Sequence, residues 1–404
     1  MQADLACEAI QVPVRRFGRT GLAMPVITAG LMRAKYSWNC HEISNVSQDS
    51  QDNLEQVVDR ALSLGINHLE TARAYGTAES QLGAVLKKYP RESYILQTKV
   101  APSSDPEEFS AAVIDSLGRL GVAHVDLLAI HGVNDFETLW QVCRKNGCLA
   151  AARRLRDLGK VRFIGFSGHG PTDVLLEAIR CEEYEGFDYL NLHWYTIFQA
   201  HTSVIEEAAA RDLGVLIISP SDKGGMLHSP PQKLVDLSHP LTPMQFNDLF
   251  CLSRDEIHTI TVGAARPDDF NEHVSVVREL KARREQVGKI YMRWQSVMRE
   301  ATGMGRPDEN WTDWPSWTRT PGYINISFIL WLYNLAVGWD LLEYGRSRYR
   351  QLGLDVRWVP GNNAAAVQQY DFAKVAERAG VPKEKLVDML NKAHKLLSCD
   401  GPTE

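Results

Sequence analysis

The sequence is poor in the features that usually announce a cofactor, a metal or a surface partner. There is no CxxC pair, no H-x-H pair and no G-x-G-x-x-G run following a strand, so neither a zinc ribbon nor a Rossmann dinucleotide site is expected. Seven cysteines, at 7, 40, 143, 148, 181, 251 and 399, are an odd number without framework spacing, which predicts reduced, packed thiols and a cytoplasmic setting. The net charge of −6 is spread along the chain and forms no basic block. That excludes an electrostatic footprint for nucleic acid or an anionic membrane. The start, MQADLACEAI, lacks a basic stretch followed by a sustained apolar run, and it does not read as a secretory signal. The most apolar segment, Ile324 to Leu342, is broken by Asn325, Asn334, Gly338 and Asp340, so it reads as a buried helix and not as a membrane span.

What the sequence does contain is alternation. Short apolar runs recur between longer amphipathic stretches, the pattern of successive βα units feeding a parallel sheet. Strands are expected near 26–30, 67–70, 94–98, 125–130, 163–167, 189–192, 215–219 and 259–262. Between them Leu54, Val57, Val58, Ala61 and Leu62 fall on one helical face, and Asp105 with Pro106 opens another helix as N-cap and first helical residue. Eight such repeats predict an α/β fold of the (β/α)8 barrel type. Ahead of the first strand, VRRFGRTGLAMP reads as a β-hairpin around Arg19-Thr20-Gly21, able to plug the bottom of the barrel.

A barrel needs about 250 residues, and the chain has 404. The predicted division is a barrel over 1–284 and a helical extension over 285–404. Seven of the ten tryptophans (294, 311, 314, 317, 331, 339 and 358) lie in that last part, and so much aromatic area must be packed. One helix is expected over Tyr323 to Arg350, a turn at Gly361 to Ala364, and an amphipathic helix over Pro382 to Leu397 with the proline at its first position. Subunit number has no readable signal.

Chemistry in such a barrel is expected at the carboxyl ends of the strands. There the sequence places His68, Glu70 and Tyr75, then Lys99, His131, Ser167-Gly168-His169 and Asn191-Leu192-His193. Charged groups ending apolar strands are costly unless they face water or a partner, so their convergence marks a site. His68 is expected to be a hydrogen-bonded barrel residue; His169 and His193 face either a substrate pocket or solvent. Arg153, Arg154, Arg156 and Lys160 read as a solvated helix face. Histidines and Glu70 at strand ends are also what a metal-dependent barrel hydrolase would use, which stands as the alternative reading.

In order and spacing, GRTGLAMPVITAGL, GINHLETARAYGTAESQLG, ILQTKV, VDLLAIH, KVRFIGFSGHG and VGAARPDDFNEH resemble the aldo-keto reductase superfamily over roughly residues 13 to 280. The resemblance implies reduction of an aldehyde or ketone by a nicotinamide cofactor, with a tetrad at Tyr75, Lys99, Glu70 and His131. Physical reasoning fits those roles. Tyr75 would protonate the carbonyl oxygen as hydride arrives, Lys99 would acidify its phenol, Glu70 would hold Lys99, and His131 would point a ring N–H at the oxygen. Glu70 stands where the superfamily usually has aspartate. The resemblance further implies Ser167 and Asn191 at the nicotinamide carboxamide, with Asn191 replacing a usual glutamine and Gly168 a common asparagine. It places Ser219 and Lys223 of ISPSDKGGML near the pyrophosphate, with Ile218 at a position often aromatic. Gly263 opens the stretch leading to a helix near Pro267 whose N-terminus would face a phosphate, Arg266 could bind a 2′-phosphate by bidentate hydrogen bonds, and the resemblance places Glu272 and His273 at adenine. NADPH is favoured through Arg266, with NADH second because Asp269 stands where a basic residue is common. The extension is similar to that of relatives bearing a ferredoxin-like cluster, but ENWTDWPSWTRTPGYINI holds no cysteine, so neither an iron–sulfur cluster nor a metal is expected. A third reading keeps the fold and the cofactor but no turnover.

Overall fold

In the computed structural model, residues 11–41, 43–354 and 358–398 are described; the MQADLACEAI start, Cys7 and Cys399 lie outside them. A two-stranded antiparallel hairpin comes first, β1 (Val14–Arg16) and β2 (Ala23–Pro25). Its turn closes on Gly21 at φ 68°, a left-handed conformation that glycine adopts without a Cβ penalty. Phe17, fully buried, reaches from this hairpin into a cluster with Met24, Ile95, Leu127, Ala129, Tyr189 and Leu216. A Cβ on Gly214, the first residue of its strand, would lie 2.7 Å from the Phe17 ring. The hairpin therefore seals the N-terminal end of the barrel, and glycine at that position makes room for the plug.

Eight parallel strands close the barrel: β3 (Ile27–Gly30), β4 (His68–Glu70), β5 (Ile95–Val100), β6 (Val125–His131), β7 (Val161–Ser167), β8 (Tyr189–Leu192), β9 (Gly214–Ile217) and β10 (Thr259–Gly263), with β10 returning to β3. The intervening helices are α1 (Gln48–Ser63), α2 (Ala78–Leu86), α3 (Pro106–Leu120), α4 (Phe136–Cys143), α5 (Cys148–Asp157), α6 (Thr172–Arg180), α7 (Thr202–Ala210), α8 (Gln232–Ser238) and α9 (Pro243–Leu252), and α10 (Phe270–Val277) follows the last strand. The expected start of α3 is found: the Asp105 side chain accepts from the Glu107 N–H, with Pro106 in the first turn. Register sets Ser167 opposite His131 on one side and Asn191 on the other. Functional candidates from three strands are thereby brought to one level.

One expectation on the barrel surface is corrected. Arg153 is not part of a solvated face: it is 5% exposed and donates to the carbonyls of Tyr184 (2.7 Å) and Gly186 (2.6 Å). Burial of its guanidinium is compensated by those acceptors and by Asp188 at 3.7 Å. Arg154 and Arg156 do lie outward, pairing with Glu107 and Glu185.

The chain groups into two compact units. One comprises the residues up to His193 with Val204–Pro220 and Cys251–Ala282, and the other comprises Trp194–Ser203, Ser221–Phe250 and the chain from Arg283 onward. The second unit is built on α11 (Arg284–Thr302), α12 (Ile326–Trp339), α13 (Leu342–Tyr349), α14 (Ala373–Arg378) and α15 (Lys383–Leu397). Trp294 and Trp339 are fully buried with ring centroids 4.8 Å apart, and the Trp339 N–H donates to the Trp294 carbonyl at 2.9 Å. The segment expected as one helix is two, because Asp340 adopts φ 60° and ends α12. Pro382 caps α15 and is not its first helical residue. No helix among the described residues is long and apolar enough to cross a membrane.

Candidate active site

The site begins with a lysine that the barrel cannot leave alone. Lys99 sits near the end of β5 at 1% exposure, where an unpaired ammonium would be prohibitively costly. It forms an ion pair with Glu70, itself 3% exposed at the end of β4, and donates to the Thr71 carbonyl at 3.2 Å. Its remaining reach goes to the Tyr75 hydroxyl, also at 3.2 Å. The longer side chain of Glu70 thus closes on Lys99 without displacing it from Tyr75. The structure brings Glu70, Lys99 and Tyr75 into one chain of contacts.

His131, at the end of β6, lies edge-on to Tyr75 with ring centroids 6.1 Å apart and an interplanar angle of 89°. The imidazole is thus in T-shaped contact with the phenol ring. Burial pushes the Tyr75 phenol up to about 12, against the expectation that Lys99 acidifies it. The physical reason is that a fully buried phenolate would lose its hydration, so desolvation sets the direction.

Tyr75 owes its position to a segment that sequence reading passed over. After β3 the chain crosses above Gly76, whose φ is 54° and whose Cβ, if present, would lie 1.8 Å from the Ser37 carbonyl oxygen. Thr77 Oγ1 accepts from the N–H groups of Tyr36 and Ser37 at 3.1 Å, and Gln81 Oε1 accepts from Tyr36 at 2.8 Å. This pinning sets Trp38 edge-on to Tyr75 at 6.2 Å, with the Lys35 ammonium 3.5 Å from the Trp38 ring centroid. Trp38 is 52% exposed, an aromatic wall open to whatever approaches the phenol. The signal was available in Thr77 and Gln81, one turn apart, but nothing local says which backbone they bind.

Other predicted residues fall into place unevenly. His68 is fully buried, bonds Thr28 Oγ1 at 2.7 Å and is driven down to about 3 by burial; it is a barrel residue, as expected. The His169 and His193 rings lie against each other in a tilted arrangement, with centroids 4.1 Å apart at 34°. Ser167 is fully buried, and its hydroxyl accepts from the Gly132 N–H at 3.3 Å, leaving its proton to donate. Asn191 is fully buried too, and neither its amide oxygen nor its amide nitrogen has a partner. Such an amide is expensive unless something bonds it, and a primary carboxamide offers the matching donor and acceptor. At Gly168 a Cβ would lie 2.8 Å from the Val133 carbonyl oxygen, which explains why no asparagine stands there.

Ser219, with φ 55°, follows β9, and Ile218 packs against the barrel core. Lys223 belongs to the second unit, where its ammonium lies 4.4 Å from the Trp358 ring centroid and its carbonyl accepts from the Tyr344 hydroxyl at 2.8 Å. Gly263 ends β10 with the Arg33 side chain 3.2 Å from where a Cβ would be. Arg266 is 79% exposed; His273 is buried in α10 and Glu272 partly so. Among the described residues no three histidine, cysteine, aspartate or glutamate side chains are grouped to hold a metal ion, so the strand-end histidines do not assemble the ligand set a hydrolase reading would use.

Comparison with known proteins turns this geometry into a family assignment. Residues 26–259 match the model of the Aldo/keto reductase family. The chain belongs to that family. An L-galactose dehydrogenase of Arabidopsis thaliana is 25% identical over 337 residues, covering 76% of this chain and 98% of that protein. A 6-dehydroglucose reductase of Novosphingobium aromaticivorans is 31% identical over 165 residues, covering 37% of this chain and 51% of the relative. The holo form of an aldo-keto reductase from Bacillus halodurans has the same fold at a TM-score of 0.58, with 20% identity over 69% of this chain and 96% of that one. As an aldo/keto reductase the chain is an oxidoreductase acting with NAD(P)H on carbonyl compounds.

Proposed function

We propose that this chain interconverts the aldehyde or ketone of a small polyhydroxylated molecule and the corresponding alcohol, with Tyr75 as the proton donor. The observation that carries the reading is the Lys99 ammonium, fixed by Glu70, at 3.2 Å from the Tyr75 hydroxyl. The dinucleotide, NADPH or NADH, supplies the hydride when bound; in the balance C=O + H⁻ + H⁺ → CH–OH the proton comes from the phenol. Lys99 stabilises the phenolate left behind, and the His131 edge offers a donor to the oxygen as its charge grows.

The residues at the ends of β7 and β8 fit a nicotinamide. The orphaned Asn191 amide offers an acceptor oxygen and an NH2 donor group to a carboxamide, and the Ser167 hydroxyl adds an O–H donor. Ser219, Gly263, Arg266, Glu272 and His273 are the further cofactor contacts of this reading. The polyhydroxylated substrate class rests on the names of the two relatives, both of which concern sugars, together with the exposed Trp38 and the tilted His169–His193 pair, groups suited to a hydroxyl-rich ligand.

The test titrates the full chain with NADPH and NADH by fluorescence, then assays reduction of a panel of aldoses and simple aldehydes. Tyr75→Phe is expected to lower turnover by at least about a hundredfold, the scale of a lost general acid, while dinucleotide affinity stays within about threefold. An unchanged rate would remove Tyr75 from its role. Binding without any reduction would favour a cofactor-sensing protein, and loss of activity on chelation would favour the hydrolase.

A further inference from the structure

We infer that Cys143 and Cys181 form a redox-active dithiol on the helical layer of the barrel, one that closes to a reversible disulfide with Cys181 as the attacking sulfur. Neither residue belongs to the reaction site described above. Cys143 is the last residue of α4, and Cys181 caps the end of α6. Both are free thiols and half-buried, whereas Cys148 and Cys251 are buried. A small oxidant can therefore reach this pair. The Cys143 thiol donates a hydrogen bond to the Cys181 sulfur, which leaves a short closure to the about 2 Å of a sulfur–sulfur bond.

The two segments are held side by side independently of their sulfurs. Three residues beyond each cysteine, the Asn146 N–H donates to the Tyr184 hydroxyl at 2.9 Å. The Tyr184 and Gly186 carbonyls accept from Arg153 of α5 at 2.7 and 2.6 Å, and Glu185 pairs with Arg156 at 2.8 Å. Asn146, Tyr184 and Glu185 adopt left-handed backbone, at φ 56°, 52° and 67°, a cost to residues with a Cβ that persists only where the surroundings enforce it. The turn that follows Cys181 is thus fastened at several points to the segment that follows Cys143.

The pair is also unequal. The Cys181 sulfur accepts from the Cys143 thiol and from the Glu183 N–H, and these bonds hold its thiol below the usual value against burial and the Glu183 carboxylate. Donation to that sulfur, with burial, pushes the Cys143 thiol up. One sulfur is the better thiolate and the other keeps its proton, as an attacking and a resolving thiol do. With a low-molecular-weight disulfide such as oxidised glutathione, the Cys181 thiolate attacks one sulfur and expels a glutathione thiolate, which takes the proton Cys181 lost. Cys143 then attacks the mixed disulfide at the Cys181 sulfur, and its proton leaves with the second glutathione. The dithiol gives up two electrons and two protons, and one oxidised glutathione becomes two reduced ones.

The test incubates the full chain in mixtures of reduced and oxidised glutathione, blocks the remaining thiols with iodoacetamide, and maps unreduced peptides by mass spectrometry. A peptide pair joining Cys143 to Cys181 is expected, about 2 Da lighter than the two reduced peptides together and lost on treatment with dithiothreitol. Cys143→Ser should leave Cys181 trapped as a mixed disulfide with glutathione, whereas Cys181→Ser should leave Cys143 modified at least about tenfold more slowly. The measurement on the unaltered chain stands whether or not either variant folds. Absence of the bridged peptide under excess oxidised glutathione overturns the inference, as does a bridge from either cysteine to a different one. Glutathione addition to Cys143 in the second variant as fast as to Cys181 in the first overturns the assignment of the attacking sulfur.

Discussion

Lys99 in the barrel is buried and Lys223 in the second unit is half-buried, and the two units treat these cations in opposite ways. In the barrel, Lys99 at 1% exposure is given a carboxylate of its own, Glu70, in direct contact. In the second unit, Lys223 lies against the Trp358 ring at 4.4 Å, while the adjacent carboxylate, Asp222, bonds Arg348 at 2.9 Å. Burial there prevails over the pull of Asp222, and Arg348 adds to it, so the Lys223 ammonium is driven down to about 7. Charge pairing keeps one cation in place as a fixed part of a reaction centre; aromatic packing leaves the other ready to lose its proton near neutrality. The difference teaches that exposure alone does not say what a buried lysine is for.

The strongest way to break the comparison is to remove the cation from the pair. Lys99→Met leaves Glu70 as a buried carboxylate without its partner, and a loss of about 3–5 kcal/mol of stability is expected in urea unfolding of the barrel. Adding Glu70→Leu should return much of that stability while turnover stays lost. If the single variant were as stable as the parent, the pair would not be the element that sets Lys99 in place.

Proton occupancy offers a second, smaller effect. At pH 7.5 an amine titrating near 7 is mostly neutral, whereas one near its ordinary value of 10.5 is almost wholly protonated. The sign is simple: as pH rises through about 7, Lys223 loses its charge while surface lysines keep theirs. Competitive acylation mapped by mass spectrometry should therefore show Lys223 turning reactive roughly two to three pH units before the surface lysines. Labelling of Lys223 that rises only near pH 10 would mean that the ring and Arg348 do not desolvate it.

The smallest effect sharpens the other half of the comparison. Burial pushes the Tyr75 phenol up to about 12. The ultraviolet difference spectrum between the parent and Tyr75→Phe should show no Tyr75 phenolate below about pH 11. A phenolate appearing near pH 8 would mean that the Lys99 ammonium outweighs desolvation of the phenol.

Much of this was legible in the chain. The eight strands, the hairpin plug and the α3 cap follow from apolar periodicity and from residues such as Asp105 and Gly21, because secondary structure answers to neighbours a few positions away. Glu70, Tyr75, Lys99 and His131 were legible as a set because each terminates, or closely follows, a strand whose end must meet the others once the barrel closes. Trp38 was not, since its place depends on Thr77 and Gln81 binding a backbone some forty residues earlier. Arg153 was misread because helical spacing shows which face it shares but not that the Tyr184 and Gly186 carbonyls lie within its reach.

By itself, then, the sequence determined the order of elements, the family and the chemical types gathered at the strand ends. Tertiary structure decided how those groups treat one another: that Glu70 pairs with Lys99 beside Tyr75, that Asn191 is left with an unmet amide, and that Asp269 accepts from the backbone N–H groups of Ala265 and Arg266. The reason is that local patterning acts through bonds and turns, whereas desolvation and charge pairing depend on distances that exist only after distant strands are brought side by side.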